Sequence, residues 1–353
     1  MPTPPIVELR SDTFTMPTPA MREAMATAPL GDDVYGEDPT VRALEDRAAD
    51  LLGMAAACLM PSGTMANLAA LTAHAPRGSR VFVGRESDIY VYEAHGVSVC
   101  SGVALDPIDT PGGVFDLDAL ARALPEDPDD PQFSVPAVLC LENTANRAGG
   151  VALSPADLAG TVGFAREHGL AVHLDGARVF NAAVALGTSA AEVAADADSV
   201  QFCLSKGLCA PIGSMVTGSA EFMVRVRRVR KMLGGGMRQA GVIAAAGLVA
   251  LDTMVSRLAE DHTNAARLAA GLAELPGLVV EPNPLRTNMV YFRSAELPHA
   301  ELIAGCARRG VRLGELGHGQ LRAVTHHGVT AEDVDRAVDT VASVLAVPVG
   351  TAP

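Results

Sequence analysis

Two stretches decide how this chain folds: His173-Leu174-Asp175-Gly176-Ala177-Arg178, and Val200-Gln201-Phe202-Cys203-Leu204-Ser205-Lys206-Gly207. Each is an apolar run of strand length that ends in a charged residue at a turn. Lys206 follows Asp175 by 31 positions, a crossover's length. Asp175 thus falls at the carboxyl end of a strand, where open α/β sheets place their ligands. An aspartate there can also be a plain helix cap, and a loop lysine a plain solvated charge. Lys206, however, stands between the apolar Ser199–Leu204 and the glycine-rich Gly207–Gly213. A recessed amine has a lowered pKa and is suited to imine formation.

Working outward, strand-length apolar runs alternate with amphipathic stretches. Val81–Val83, Ser98–Leu105, Ala137–Leu141, Ala171–Leu174, Ser199–Cys203 and Gly213–Thr217 read as strands. Gly63–Ala73, Leu117–Leu124, Pro155–His168 and Ser189–Asp196 read as helices. That alternation predicts an α/β fold with a mainly parallel, doubly wound sheet. A long helical region, about Ala220 through Leu275, is broken at Gly234-Gly235-Gly236. Beyond it Leu278–Val280, Asn288–Arg293, His299–Arg309, Val311–Leu313, Leu321–Val324 and Ala331–Leu345 predict a small α+β unit. The expected division is a large domain over 1–250, including the N-terminal segment, and a small C-terminal domain over 251–353. Pro276–Pro284 is the punctuated stretch near the change.

Composition narrows the function. The formal charge of −14 opposes nucleic acid or an anionic membrane as the main partner, because phosphate contacts need clustered cations. The basic group Arg225, Arg227, Arg228, Arg230 and Lys231 is only a local exception. With no Trp and 4% aromatic residues, a stacking groove for sugars or single strands is not expected. The six cysteines are scattered without metal spacing and read as free thiols of a cytoplasmic protein. Neither an export signal nor a membrane span is visible; the longest apolar run, Ala240–Leu251, is too short.

Asp175 and Lys206 together have the makings of a site for pyridoxal 5'-phosphate. The amine forms a Schiff base, and the carboxylate keeps the pyridine nitrogen protonated so that the ring draws electrons. Upstream, Pro61-Ser62-Gly63-Thr64-Met65-Ala66-Asn67 opens a helix. Its N–H groups and hydroxyls suit a phosphate, although Ser62 is equally placed to be an ordinary N-cap. Arg178, on the loop after Asp175, is a candidate for a substrate carboxylate.

These residues belong to a longer ordered set. Leu9-Arg10-Ser11-Asp12-Thr13, Gly31-Asp32-Asp33-Val34-Tyr35-Gly36, Pro61-Ser62-Gly63-Thr64, Leu141-Glu142-Asn143-Thr144, His173–Arg178, Cys203–Leu208 and Arg230–Gln239 run nearly the whole chain. In them the chain resembles the low-specificity L-threonine aldolases, of the aspartate-aminotransferase fold type I and the β-eliminating-lyase group. The resemblance implies Lys206 as the Schiff-base lysine, Asp175 at the pyridine nitrogen, and Ser62, Gly63 and Thr64 at the phosphate. It implies Ser11, Arg178 and Arg322 at the substrate carboxylate, with Tyr35 lining the site. Arg238, with Lys231 as a second candidate, would reach a cofactor phosphate across a subunit interface in a homo-oligomer, a dimer of dimers. The implied reaction cleaves the Cα–Cβ bond of a β-hydroxy amino acid to glycine and an aldehyde.

The chain departs from the family where chemistry is decided. Asp88, in Arg85-Glu86-Ser87-Asp88-Ile89-Tyr90, stands where the family has a histidine stacked on the cofactor ring. Ala145 stands where it has a second histidine near the substrate's β-hydroxyl, which would enlarge the pocket. A carboxylate does not stack, and beside a phosphate-bearing cofactor it adds unfavourable charge unless paired or protonated. His95 and Cys209 replace family glycines. His95 is either a substitute imidazole or a surface loop residue, and Cys209 either a packing residue or a thiol of interest. Asp88 and His95 are thus the candidate bases. The alternative keeps the cofactor but changes the reaction to β-elimination, racemisation or transaldol transfer; a non-catalytic binding protein is the remaining reading.

Overall fold

The computed structural model describes residues 6–282, 287–317 and 319–346. The expected start Met1–Pro5 and the end of the Pro276–Pro284 stretch lie outside these.

The central sheet has seven strands, in the order Ala56–Met60, Ser214–Gly218, Ser199–Cys203, Ala171–Asp175, Pro136–Glu142, Arg80–Gly84 and Ala104–Ile108. All neighbours are parallel except at Ser214–Gly218, which runs antiparallel to both of its partners. The central strands carry near-continuous apolar runs because helices cover both faces; every residue of Ser199–Cys203 is buried. Strand alternation divides the apolar side chains between two cores. Val172, Leu174, Val200 and Phe202 join one core with the helices Pro39–Leu52 and Gly241–Thr253. Residues of opposite parity face the helix Gly63–His74, among them Val81, Val83, Val138 and Cys140 around its Leu71.

Helix starts follow their capping chemistry. Ser62 accepts from the Met65 N–H, and Ser154 with Asp157 closes a capping box ahead of Pro155–Glu167. The expected helical region from Ala220 resolves into Ala220–Met232, Gly241–Thr253 and Leu258–Ala273. Gly234, in the left-handed region at φ 83°, ends the first of them.

Two expectations need correction. Ser98–Leu105 is not one strand: Gly96–Ser101 is helical, Gly102 turns left-handed, and the strand is Ala104–Ile108. Val97 is buried beside Leu71 by this short helix, ahead of the strand. The expected helix Ser189–Asp196 narrows to Ala190–Val193, begun by a Ser189–Glu192 capping box.

A second, antiparallel sheet joins Gly314–Gly317, Gln320–Val324, Met289–Ser294 and Leu278–Val280. Its core includes Val7 and Leu9, because Val7–Glu8 pairs in parallel with Val311–Arg312. The N-terminal segment therefore spans both parts of the molecule.

Phe202 is fully buried and packs edge-on against Phe180, with ring centroids 5.2 Å apart. Phe202→Ala should lower unfolding stability by about 3–5 kcal/mol in urea titration, whereas Val224→Ser on the exposed face should change it by less than about 0.5 kcal/mol.

Candidate active site

Glu142, Asp175 and Gln201 are register partners on three adjacent strands, so sheet pairing alone sets their side chains in one row. Asp175 is buried and surrounded by donors. Its Oδ1 accepts from Gln201 Nε2 at 2.8 Å and the Ala177 N–H at 3.1 Å, and its Oδ2 from Asn67 Nδ2 at 2.9 Å. Burial pushes its carboxyl above the ordinary range and Asp88 adds to this, while Lys206 opposes it.

Lys206 is half-buried in the same cleft, a cavity of about 290 Å³ that also includes Ser62, Gly63, Thr64, Asp88, Tyr92 and Cys203. Among the described residues its ammonium makes no hydrogen bond or salt bridge, and its charge acts on Asp12 and Asp175. Its backbone is fastened: the Thr15 hydroxyl donates to the Lys206 carbonyl at 2.7 Å. Ser62 caps its helix, so the Ser62 hydroxyl is engaged with Met65. The N–H groups of Gly63 and Thr64 head the helix. A Cβ at Gly63 would come within 2.9 Å of Cys203 Sγ, so a larger residue here has to displace that side chain.

Arg178 is held on one edge by Asp12, its Nε at 2.7 Å and its Nη2 at 2.6 Å from the two carboxylate oxygens. Both side chains are buried. The Arg178 guanidinium holds the Asp12 carboxyl far below the usual carboxylate range against the opposing cost of burial. Nothing among the described residues accepts from Nη1 of Arg178, which leaves that group for a ligand. Ser11, the residue before Asp12, caps the turn Asp12–Phe14 through the Thr13 N–H. Arg322 donates from Nη1 to Asn146 Oδ1 at 2.9 Å and from Nη2 to the Arg10 carbonyl at 3.2 Å, while its buried Nε has no partner among the described residues.

Asp88 opens the short helix Asp88–Val91 and accepts from Asn146 Nδ2 at 3.0 Å. Behind it Glu142 accepts from the Asp88 and Asn146 N–H groups, both at 2.7 Å. Burial drives the Glu142 carboxyl well up, and Asp88 and Asp175 add to this. Glu93, held by Asn67 Nδ2 at 2.9 Å, is pushed up to about 8 by burial and by Asp175.

Four expected residues lie elsewhere in this chain. Ala145 does not line the Lys206 cleft; it borders a separate cavity of about 190 Å³ with Glu142 and Arg147, its Cβ lying against Gly113. His95 is exposed and meets Tyr90 edge-on at 5.2 Å, so it is not placed as a substitute imidazole. It sits in the left-handed region at φ 52°, as Cys209 does at φ 65°, which accounts physically for a preference for glycine at both places. Tyr35 is 77% exposed and shares a different surface cleft with Lys231 and Gly236. Arg238 is half-exposed and paired with Asp32 at 3.0 Å. Neither reaches Lys206 within one chain.

The residues that sequence reading missed are mostly amides: Asn67, Gln201 and Asn146, with Glu93 and Asp12. Amides carry no spacing signal of their own, but Gln201 could have been found as the residue paired with Asp175.

Asp12→Ala leaves a buried guanidinium unpaired and should cost about 3–5 kcal/mol in chemical denaturation. Glu93 supplies a pH dependence. Its unfolded value is near 4.5 and its folded value about 8, so between these the folded state binds more protons and stability falls as pH rises. Glu93→Gln should flatten that part of the stability profile in the cofactor-free protein.

Comparison with known proteins accords with this geometry. The Beta-eliminating lyase family matches residues 8–295. The "Low specificity L-threonine aldolase" of Escherichia coli (strain K12) is 44% identical, with 93% of this chain and 96% of that protein covered. "Low-specificity L-threonine aldolase 1" of Arabidopsis thaliana is 42% identical, with 93% of each covered. Among solved structures, the Leishmania major threonine aldolase has a TM-score of 0.81 at 20% identity, covering 96% of this chain and all of that one. That likeness bears on the fold alone. The identity along almost the whole length places this chain in the low-specificity L-threonine aldolase family, within the beta-eliminating lyases.

Proposed function

We propose that this chain cleaves the Cα–Cβ bond of β-hydroxy-α-amino acids of the L-threonine and L-allo-threonine type, releasing glycine and an aldehyde. The observation that carries this is the Lys206 amine, unpartnered among the described residues, in one cleft with the buried Asp175 carboxylate, within a chain of this family. The cofactor is pyridoxal 5'-phosphate, and the residues fit it. Lys206 is the amine that tethers it, and Asp175, with donors on both oxygens, keeps acceptor capacity for the ring N–H. The N–H groups of Gly63 and Thr64 suit its phosphate. When bound, it supplies the sink for the electron pair released at Cα.

The remaining roles belong to the chain's own side chains. Arg322, Arg178 and Ser11 hold the substrate carboxylate, which fixes the bond that stands ready to break. Asp88 binds Asn146 through Oδ1, which leaves Oδ2 to take the proton of the β-hydroxyl. The exposed Tyr35, Lys231 and Arg238 are read as serving the cleft of a second copy, in a homotetramer built as a dimer of dimers. Residues 1–250 carry the cofactor, and 251–353, tied in by Val7–Leu9, complete the substrate side. A cytoplasmic setting is favoured by six free cysteines, and among the described residues no single helix is long and apolar enough to cross a membrane.

The second reading, with the same cofactor but β-elimination, racemisation or transaldol transfer, is favoured by one observation: a carboxylate at position 88 instead of an imidazole. An amino-acid panel with product identification separates the two. L-threonine, L-allo-threonine or phenylserine should give glycine and aldehyde, and Asp88→Asn should lower kcat by about 10²–10⁴ with little change in KM. Absence of aldehyde from all three substrates would exclude the aldolase reading.

A further inference from the structure

The helix Gly63–His74 and the sheet beneath it share an apolar layer interrupted by one polar line. Asn67 and His74, seven residues apart, lie on one face of the helix. Below them His173 and Asp175 alternate on one strand, and Ser199 and Gln201 on the next, with His173 paired to Ser199 and Asp175 to Gln201. Five side chains then connect in sequence. His74 Nε2 lies 2.8 Å from Ser199 Oγ, and Ser199 Oγ lies 2.8 Å from His173 Nδ1. His173 Nε2 lies 3.1 Å from Asn67 Oδ1, and Asn67 Nδ2 lies 2.9 Å from Asp175 Oδ2.

The direction of every bond in this line follows from its end. Asp175 accepts, so the Asn67 amide nitrogen faces it, and the second amide hydrogen goes to Glu93. Asn67 Oδ1 can then only accept, so His173 carries its proton on Nε2. His173 is fully buried, and burial favours its neutral form. Its Nδ1 is therefore an acceptor, which makes the Ser199 hydroxyl the donor there and His74 Nε2–H the donor to Ser199. All donors point toward Asp175. At the far end His74 borders a surface cleft of about 460 Å³ with Arg166, Asp198 and Arg225, stacked on Phe222 at 4.0 Å.

We infer that His74, Ser199, His173 and Asn67 act as one relay of fixed polarity, positioning residues that orient the Asp175 carboxylate toward the cofactor's ring nitrogen from the opposite end of the sheet. The inference rests on Asp175 serving that nitrogen. Its reach is long because each link has a single acceptable orientation: turning one amide or one tautomer leaves two buried groups donor to donor or acceptor to acceptor.

Two measurements test it. In the cofactor-free protein, ¹H–¹⁵N spectra of the histidine rings should show His173 neutral and protonated on Nε2, and a proton on Nδ1 would overturn the relay. In the reconstituted protein, Ser199→Ala and His74→Leu should each raise the dissociation constant for pyridoxal phosphate about tenfold and alter the bound-cofactor absorbance, with the fold intact by circular dichroism. His74→Gln, whose amide still donates to Ser199, should restore both readouts to within about twofold. Asp175→Asn separates this inference from the reading beneath it. Unchanged cofactor affinity and absorbance there would overturn the assignment of the site and the relay with it. A clear loss there, with Ser199→Ala and His74→Leu like the unaltered protein, overturns the relay alone.

Discussion

A carboxylate taken out of water at the end of a buried strand must be surrounded by donors, and in this molecule much else is arranged to supply them to Asp175. Leaving such a group unsatisfied costs several kcal/mol, on the order of a domain's whole margin of stability. Gln201 comes from the adjacent strand, Asn67 from the covering helix and the Ala177 N–H from the following turn. Three different elements must therefore be in register before the carboxylate is stable. The requirement links the fold's topology to its chemistry, because the same register sets Lys206 in the cleft.

Around this point charges of both signs are gathered. Asp88, Glu93, Glu142 and Asp175 crowd together, and burial raises the carboxyls of the last three. Arg178, Arg322 and Lys206 stand among them, with Arg178 already neutralised by Asp12. A cationic ring nitrogen and an anionic substrate carboxylate are what these charges complement. Asp88 adds a carboxylate to them where the family resemblance implies a histidine ring.

Much of this was legible in the sequence, and the parts that were not have physical reasons. Buried parallel strands announce themselves as apolar runs, and a lone lysine or aspartate at the end of such a run is conspicuous. Asn67 and Gln201 sit inside an apolar helix and an apolar strand, where a single amide reads as an exception until its neighbour across the sheet is known. Ser98–Leu105 reads as one apolar run, whereas Gly102 at φ 66° ends a helix within it. Tyr35 and Arg238 were placed at the site by resemblance, but one chain leaves them on another surface. Ala145 was expected to face substrate, and backbone direction, which no residue pattern reports, turns its Cβ to Gly113 instead.

The N-terminal segment reaches farther than its length suggests. Val7–Glu8 pairs with Val311–Arg312, the Arg10 carbonyl takes a bond from Arg322, Asp12 holds Arg178, and Thr15 fastens Lys206. Residues 7–15 are thus made before the strand Val311–Arg312 with which this segment pairs. Synthesis at about 5–20 residues per second leaves Val7–Glu8 without its partner strand until Val311–Arg312 has been made. A nascent chain stalled before residue 311 therefore holds Lys206 while Val7–Glu8 still lacks its partner strand.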